Sequence, residues 1–196
     1  MNNYIFLYVS IIFIAIYLYF NKSNLKYIES SKTGTKYLVQ NNEFKKETAE
    51  LLEKVISNMY KLKNHLVKNI DQFPDHKKYI KQLDEKLNEE RTTIYENKEN
   101  SDLTSYSVNK GEEIVFCLKS KKSKKNHSIN TIMYVAIHEM GHLGCPEIGH
   151  TPLFNNIFKF FLEEAVKINI YEYVELIYNV CGSSLAVAGF SYVKEY

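Results

Sequence analysis

Two histidines and a glutamate in the run His138-Glu139-Met140-Gly141-His142 have the residue types and spacing needed for metal-dependent chemistry. The pattern is His-Glu-x-x-His, the zinc-binding signature of metallopeptidases. On an α-helix, residues i and i+4 lie on one face, so His138 and His142 can present ring nitrogens to one ion. Glu139 adjoins the first ligand and can reach a metal-bound water without binding the metal. The run therefore predicts a Zn²⁺ site with Glu139 as the general base. The alternative is a pair of core histidines on a buried helix.

The residues around the motif predict the elements that position it. The preceding run, 132–137, is apolar on nearly all sides, as in a helix enclosed by a core. Gly144 and Pro146 together end that helix. The threonine–proline pair at 151–152 supplies the N-cap and first position of a second helix. His150 stands directly before this helix start, which fixes its position better than a free loop would.

The third zinc ligand is open between two residues. His150 is our choice, because three imidazoles plus one water make the open tetrahedral site of a catalytic zinc. Glu163, on the following helix, would instead supply a carboxylate as in the thermolysin-like arrangement. Cys145 and Glu147 are nearer in sequence, but they lie within the turn itself. A metzincin is disfavoured, since its third histidine would fall on Ile148.

Such a site predicts peptide hydrolysis. Zinc lowers the pKa of its bound water toward about 7 and polarises the substrate carbonyl. Glu139 would take the proton of that water as it attacks the carbonyl and pass it to the leaving amine. A further electrophile, often a tyrosine or histidine, assists in some enzymes, but 16 tyrosines leave it unidentified.

Length and charge set broad limits on the protein. The chain has 196 residues, enough for one domain with a core plus appendages. Its formal net charge of +2 gives no global field of the kind that marks nucleic-acid binders. The lysine-rich run at 119–125 predicts a solvated loop, with a phosphate-binding patch as the alternative.

The N-terminal segment predicts a membrane anchor. Residues 4–20 form 17 consecutive positions in which Ser10 alone is polar and none is charged. As a helix they would be about 25 Å long, close to a hydrocarbon core of about 30 Å. A cleaved signal peptide would need a basic start and a small-residue cleavage site, which this segment lacks. Lysines follow the segment and none precedes it, so a single-pass protein with a cytosolic C-terminal body is expected, anchored over 1–21.

The remaining chain predicts a small α+β domain. Residues 22–42 are polar and aperiodic and predict a tether. Apolar residues recur at helical spacing over 43–91, which predicts two amphipathic helices that pack on the core, or less readily a partner-binding coiled coil. Residues 92–196 are expected to hold a short sheet and the metal site. Within this region 113–118 is predicted as the sheet edge that receives an extended peptide substrate.

The sequence resembles a known peptidase family. The motif followed by Gly149-His150-Thr151-Pro152-x-Phe154 is similar to the WLM and SprT-like minigluzincins. The stretches 116–118, 130–134 and 145–150 resemble uncharacterised WLM-domain proteins of giant DNA viruses and algae. The resemblance covers roughly residues 75–185 and implies a zincin-like fold: a short antiparallel or mixed sheet, the motif helix and flanking helices. It also implies that His138, His142 and His150 bind the metal and that Glu139 is the base. With the predicted anchor, the C-terminal domain is expected to face the cytosol or a virion interior. The turn before His150 is longer than in the yeast-type WLM proteases.

Three functions therefore compete. The first is a membrane-anchored zinc metalloprotease with a protein or peptide substrate. The second, taken from WLM and SprT relatives, is a protease acting on DNA-bound proteins, against which the predicted anchor argues. The third is a non-enzymatic membrane or virion protein that keeps zinc for folding. No oligomeric state is predicted.

Overall fold

The computed structural model describes residues 6–14, 24–99, 101, 104–120, 123–173, 179–180 and 183–184. Residues 6–14 are helical. From residue 24 onward the described elements are, in chain order, β1 (Leu25–Glu29), β2 (Lys36–Gln40), α1 (Lys45–Lys68), a 3₁₀ helix (Ile70–Gln72), α2 (Lys77–Lys86), β3 (Thr93–Glu96), β4 (Tyr106–Val108), β5 (Glu113–Phe116), α3 (Ile129–Gly144), α4 (Pro152–Lys167), β6 (Asn179–Val180) and β7 (Ser183–Ser184).

The helix that carries the motif is surrounded by other helices. α3 packs against α1, α2 and α4. α1 turns its apolar stripe inward, where five side chains are fully buried: Leu52, Val55, Met59, Leu62 and Leu66. Burying this stripe stabilises an amphipathic helix far more than its intrinsic propensity does. The α+β class and the amphipathic helices that pack on the core are present as predicted.

A three-stranded mixed sheet lies beside this bundle, with strand order β3-β5-β4. β5 is parallel to β3 and antiparallel to β4. The prediction that 113–118 forms the sheet edge is therefore wrong, because β5 is the central strand. The sequence pattern was consistent with a central strand. Ile114-Val115-Phe116 is a continuous apolar run, and all three residues are fully buried. Strands covered on both faces lose the alternation of apolar and polar residues.

The two outer strands differ in how they are covered. The outer side of β3 meets β2, where the Gln40 backbone N–H donates to Glu96 Oε2 at 2.6 Å. The Gln40 side-chain amide donates to the Asn97 carbonyl oxygen at 2.8 Å. Among the described residues, no strand pairs with the outer side of β4. Within the described part of the chain, β4 is therefore the edge strand of this sheet.

A β-hairpin occupies the segment where a tether was predicted. β1 and β2 pair antiparallel over their full length, and Gly34 has a positive φ of +71° in the turn between them. The turn is held on α1, where the Ser30 hydroxyl donates to Glu53 Oε2 at 2.5 Å. The pattern gave little sign of this hairpin because most of its strand residues stay exposed or half-buried.

The prediction of a membrane-spanning anchor is wrong. Among the described residues, no helix is long and apolar enough to cross a membrane. Of the predicted span, residues 6–14 are helical and exposed, and the rest lies outside the described residues. The predicted single-pass topology and cytosolic orientation rested on that anchor and are not supported either.

Candidate metal centre

The motif lies in the last two turns of α3, a helix with a defined start. The Ser128 hydroxyl caps it by accepting a hydrogen bond from the Thr131 backbone N–H at 3.1 Å. Such a cap satisfies one of the unpaired N–H groups at a helix start. At the other end, the Gln82 amide and the Lys86 ammonium both donate to the Leu143 carbonyl oxygen, at 3.0 and 3.1 Å. The helix that carries the candidate ligands is thus fixed at both ends.

Three histidine side chains converge at the end of this helix. His142 Nε2 lies 3.2 Å from His138 Nε2, and His150 Nε2 lies 3.0 Å from the same atom. The three ligand atoms all lie within 4.8 Å of one another. The structure thus brings together the three histidines proposed from the sequence.

Glu163, the alternative third ligand, lies elsewhere. Its carboxylate is partly exposed on α4 and sits 4.0 Å from Lys159 Nζ. The Thr151-Pro152 pair does start α4 as predicted, and the Thr151 hydroxyl accepts from the Phe154 N–H at 3.2 Å. His150 directly precedes this capped helix start.

The chemistry of the three rings fits a cation. A neutral imidazole has one N–H and one lone pair, so His138 Nε2 cannot satisfy two neighbouring Nε2 atoms by hydrogen bonding. Nitrogen ligands about 2.0–2.1 Å from a tetrahedral zinc lie about 3.3 Å apart. The two separations from His138 Nε2, 3.2 and 3.0 Å, are close to this value. Burial, followed by the neighbouring histidines, lowers the pKa of His138 to about 3. Burial and His150 lower the pKa of His142 to about 4. Both rings are therefore neutral near pH 7, the form that binds a metal.

An aromatic ring from α4 supports all three imidazoles. The Phe154 ring stacks on His142 with centroids 4.2 Å apart. Its centroid is 5.0 Å from that of His138 and 5.0 Å from that of His150. From the sequence, Phe154 was expected only as part of the motif that follows His150. Its contact with every candidate ligand was not predicted, because those contacts depend on how α3 and α4 pack.

Glu139 is placed away from the cluster and toward the sheet. Its side chain is buried, with 5% of the residue exposed. Burial raises the pKa of the Glu139 carboxyl to about 7, although a hydrogen bond with the Ser107 side chain lowers it. Ser107 lies on β4, the uncovered edge strand. Ser107 was not predicted as its partner, since a serine in a short strand carries no distinctive pattern.

Comparisons with known proteins give one extended match. No protein-family profile matches the sequence. The uncharacterized protein R325 of Acanthamoeba polyphaga mimivirus is 36% identical over 180 residues, which cover 89% of this chain and 90% of that protein. The uncharacterized protein 136R of Invertebrate iridescent virus 6 is 35% identical over 82 residues, which cover 40% of this chain and 46% of that protein.

The solved structure of Wss1 from Saccharomyces cerevisiae shows a partial likeness. It has a TM-score of 0.35 and 21% identity, over 38% of this chain and 59% of that chain. A likeness this low supports no conclusion about fold or activity, so the resemblance to WLM peptidases stays a prediction. The mimivirus match, in contrast, spans most of both sequences. The chain therefore belongs to the family of the mimivirus protein R325.

Proposed function

We propose that this protein is a zinc-dependent peptidase in which His138, His142 and His150 hold the ion and Glu139 is the general base. The observation that carries the proposal is the convergence of three imidazole side chains, with the buried carboxyl group of Glu139 directly after the first of them in sequence. A structural zinc site is closed by four protein ligands, whereas a catalytic site keeps a position open. Among the described residues, no fourth histidine, cysteine or carboxylate joins the three histidines. The open position favours a catalytic zinc site over one that serves folding alone.

The zinc ligands, Glu139 and Ser107 have separate roles in the proposed reaction. A zinc ion held by the three rings supplies Lewis acidity and a water of lowered pKa. Glu139 takes a proton from the attacking water and delivers it to the amine that leaves. The buried position of its carboxyl group favours proton uptake near neutral pH, where a general base is most effective. The Ser107 side chain orients this carboxyl group from the sheet side.

The substrate is proposed to be an extended peptide that pairs with β4. This strand is the uncovered edge of the sheet and carries Ser107, the partner of the base. An added strand would therefore run beside Glu139, with main-chain hydrogen bonds supplying affinity. Once a cleaved peptide is identified, methylation of alternate amide nitrogens should block cleavage. Strand pairing would be contradicted if cleavage survived methylation at each amide outside the scissile bond.

Variants of the full chain test the metal and the base separately. Glu139→Gln should keep one zinc per chain and lower cleavage of an unfolded protein substrate by at least about 10²-fold, the range expected for a lost general base. His150→Ala should lose zinc. Glu163→Ala is the matched control, because it removes a partly exposed carboxylate of the same region and should keep both zinc and activity.

Each outcome has a distinct meaning. Full zinc content in His150→Ala together with zinc loss in Glu163→Ala would show that the ligand set is wrong. Unchanged cleavage in Glu139→Gln would remove the base from the proposal. Zinc bound by the wild type without cleavage in either form would favour the structural role. A role on DNA-bound proteins is not proposed, since Lys119 and Lys124 of the lysine run lie in ion pairs with Glu96 and Glu99.

A further inference from the structure

The loop between the second and third candidate ligands has few attachments. It runs from Cys145, which is buried, to His150, directly before the cap of α4. The residues between, 146–149, are all exposed, and Ile148 is 87% exposed. Such a loop opens readily, because it buries little apolar surface and its backbone faces solvent. Its conformation nevertheless decides where the third imidazole lies.

One side chain from another element reaches this loop. Lys110 Nζ donates to the Pro146 carbonyl oxygen at 2.9 Å. Within the part of the chain that the structure describes, this is the only hydrogen bond that reaches residues 146–149. The loop is thus held at its two ends, and Lys110 contacts its first exposed residue.

The backbone at Lys110 is unusual for a lysine. Asn109 and Lys110 have φ values of +48° and +53° in the turn between β4 and β5. The left-handed region is disfavoured for residues other than glycine and, to a lesser degree, asparagine. A glycine would therefore relax the backbone at position 110. The lysine brings a long side chain with an ammonium group, and that group is what contacts the loop.

The turn is seated firmly enough to act as an anchor. A Cβ atom on Gly111 would lie 3.0 Å from Leu143 Cδ2 and 3.2 Å from the Lys86 carbonyl oxygen. The turn therefore packs directly against the end of α3. A side chain that starts from this turn has a fixed origin relative to His138 and His142.

We propose that Lys110 is a positioning residue for the third metal ligand: it holds the Pro146 carbonyl so that the loop delivers His150 to the other two histidines. The inference rests on the proposed zinc site. Lys110 lies 36 positions before Pro146 and belongs to a different element. Because the contact is a single exposed hydrogen bond, its loss should weaken zinc binding by roughly three- to tenfold.

Four full-length proteins test this role: wild type, Lys110→Gly, Lys110→Arg and Asn109→Gly. Zinc affinity is measured by competition with a chromophoric chelator, and unfolding by denaturant is measured without metal. Lys110→Gly should bind zinc roughly three- to tenfold more weakly while its metal-free stability stays close to wild type. Lys110→Arg keeps a donor and should retain most of the affinity. Asn109→Gly relaxes the same turn and breaks only an exposed bond to Glu112, so its affinity should equal that of the wild type.

The outcomes separate this inference from the proposed function. Wild-type affinity in Lys110→Gly would overturn the positioning role and leave the zinc site intact. Equal weakening in Asn109→Gly, or a matching loss of metal-free stability in Lys110→Gly, would also overturn it, because the turn as a whole would then be responsible. A wild-type chain that binds no zinc would refute the proposed function and this inference with it.

Discussion

Replacing Gly141 by alanine tests whether the ring behind the histidines governs metal binding. Gly141 lies inside the motif, one residue before His142. A Cβ atom at this position would lie 3.1 Å from Phe154 Cε2 and 3.4 Å from Phe158 Cβ. Because both neighbours are buried, the Phe154 ring must shift to admit the methyl group. That ring touches all three imidazoles, so the shift reaches the metal centre.

The expected effect on stability is small. Alanine is favoured over glycine in a helix interior by about 1 kcal/mol. Overpacking a close-packed core costs about 1–3 kcal/mol. The net change is therefore a loss of about 0–2 kcal/mol. For a protein of this size, a loss of 1 kcal/mol lowers Tm by roughly 2–4 °C.

The effect on zinc should be larger than the effect on stability. Residues that orient metal ligands from behind typically change affinity by about 10- to 100-fold when altered. Gly141→Ala should therefore weaken zinc binding by at least about tenfold in the chelator competition assay.

Gly144→Ala is the matched control on the same helix. Its Cβ atom would lie 3.2 Å from Phe161 Cζ and 3.3 Å from the Tyr79 carbonyl oxygen. It therefore meets similar crowding without touching Phe154. Its stability should fall by a comparable amount, and its zinc affinity should stay within about threefold of wild type. Equal zinc affinities in the Gly141 and Gly144 variants would refute the role given to the ring.

Two further predictions concern buried charges outside the metal centre. Lys119→Met leaves the fully buried Glu96 without the ammonium 3.3 Å away and should cost about 3 kcal/mol near pH 7. Burial raises the pKa of Glu96, so the loss of stability should be smaller in acid. Urea unfolding at two pH values measures this loss, and an equal loss at both would contradict the reasoning. Burial alone would raise the pKa of Glu164, but hydrogen bonds from Lys167 and His65 outweigh it and the pKa is lowered below 4.5. As the pH drops below about 4.5, the unfolded chain takes up a proton at Glu164 while the folded state keeps this group charged. Stability therefore falls with pH in this range. Glu164→Gln should flatten the decline, which acid unfolding curves would show.

The convergence of the three histidines was predictable because local spacing determines most of their geometry. Two histidines four residues apart share a helix face whatever the fold, and the Thr151-Pro152 pair defines the start of the next helix. The hairpin over 24–40 was missed because its strands bury few residues. The anchor was wrongly predicted because hydropathy records the preference of a segment for apolar surroundings, and this preference does not establish a helix long enough to span.

The β4–β5 hairpin explains why the rest of the site could not be predicted. Ser107 on this hairpin hydrogen-bonds with the candidate base, and Lys110, three residues later, donates to the Pro146 carbonyl oxygen in the loop before His150. Both contacts join residues more than thirty positions apart, and neither residue type signals chemistry by itself. The same hairpin contributes the sheet edge that is proposed to receive the peptide. A peptide paired with β4 would therefore press on the element that orients both Glu139 and His150, so substrate binding and zinc affinity should be coupled through this hairpin.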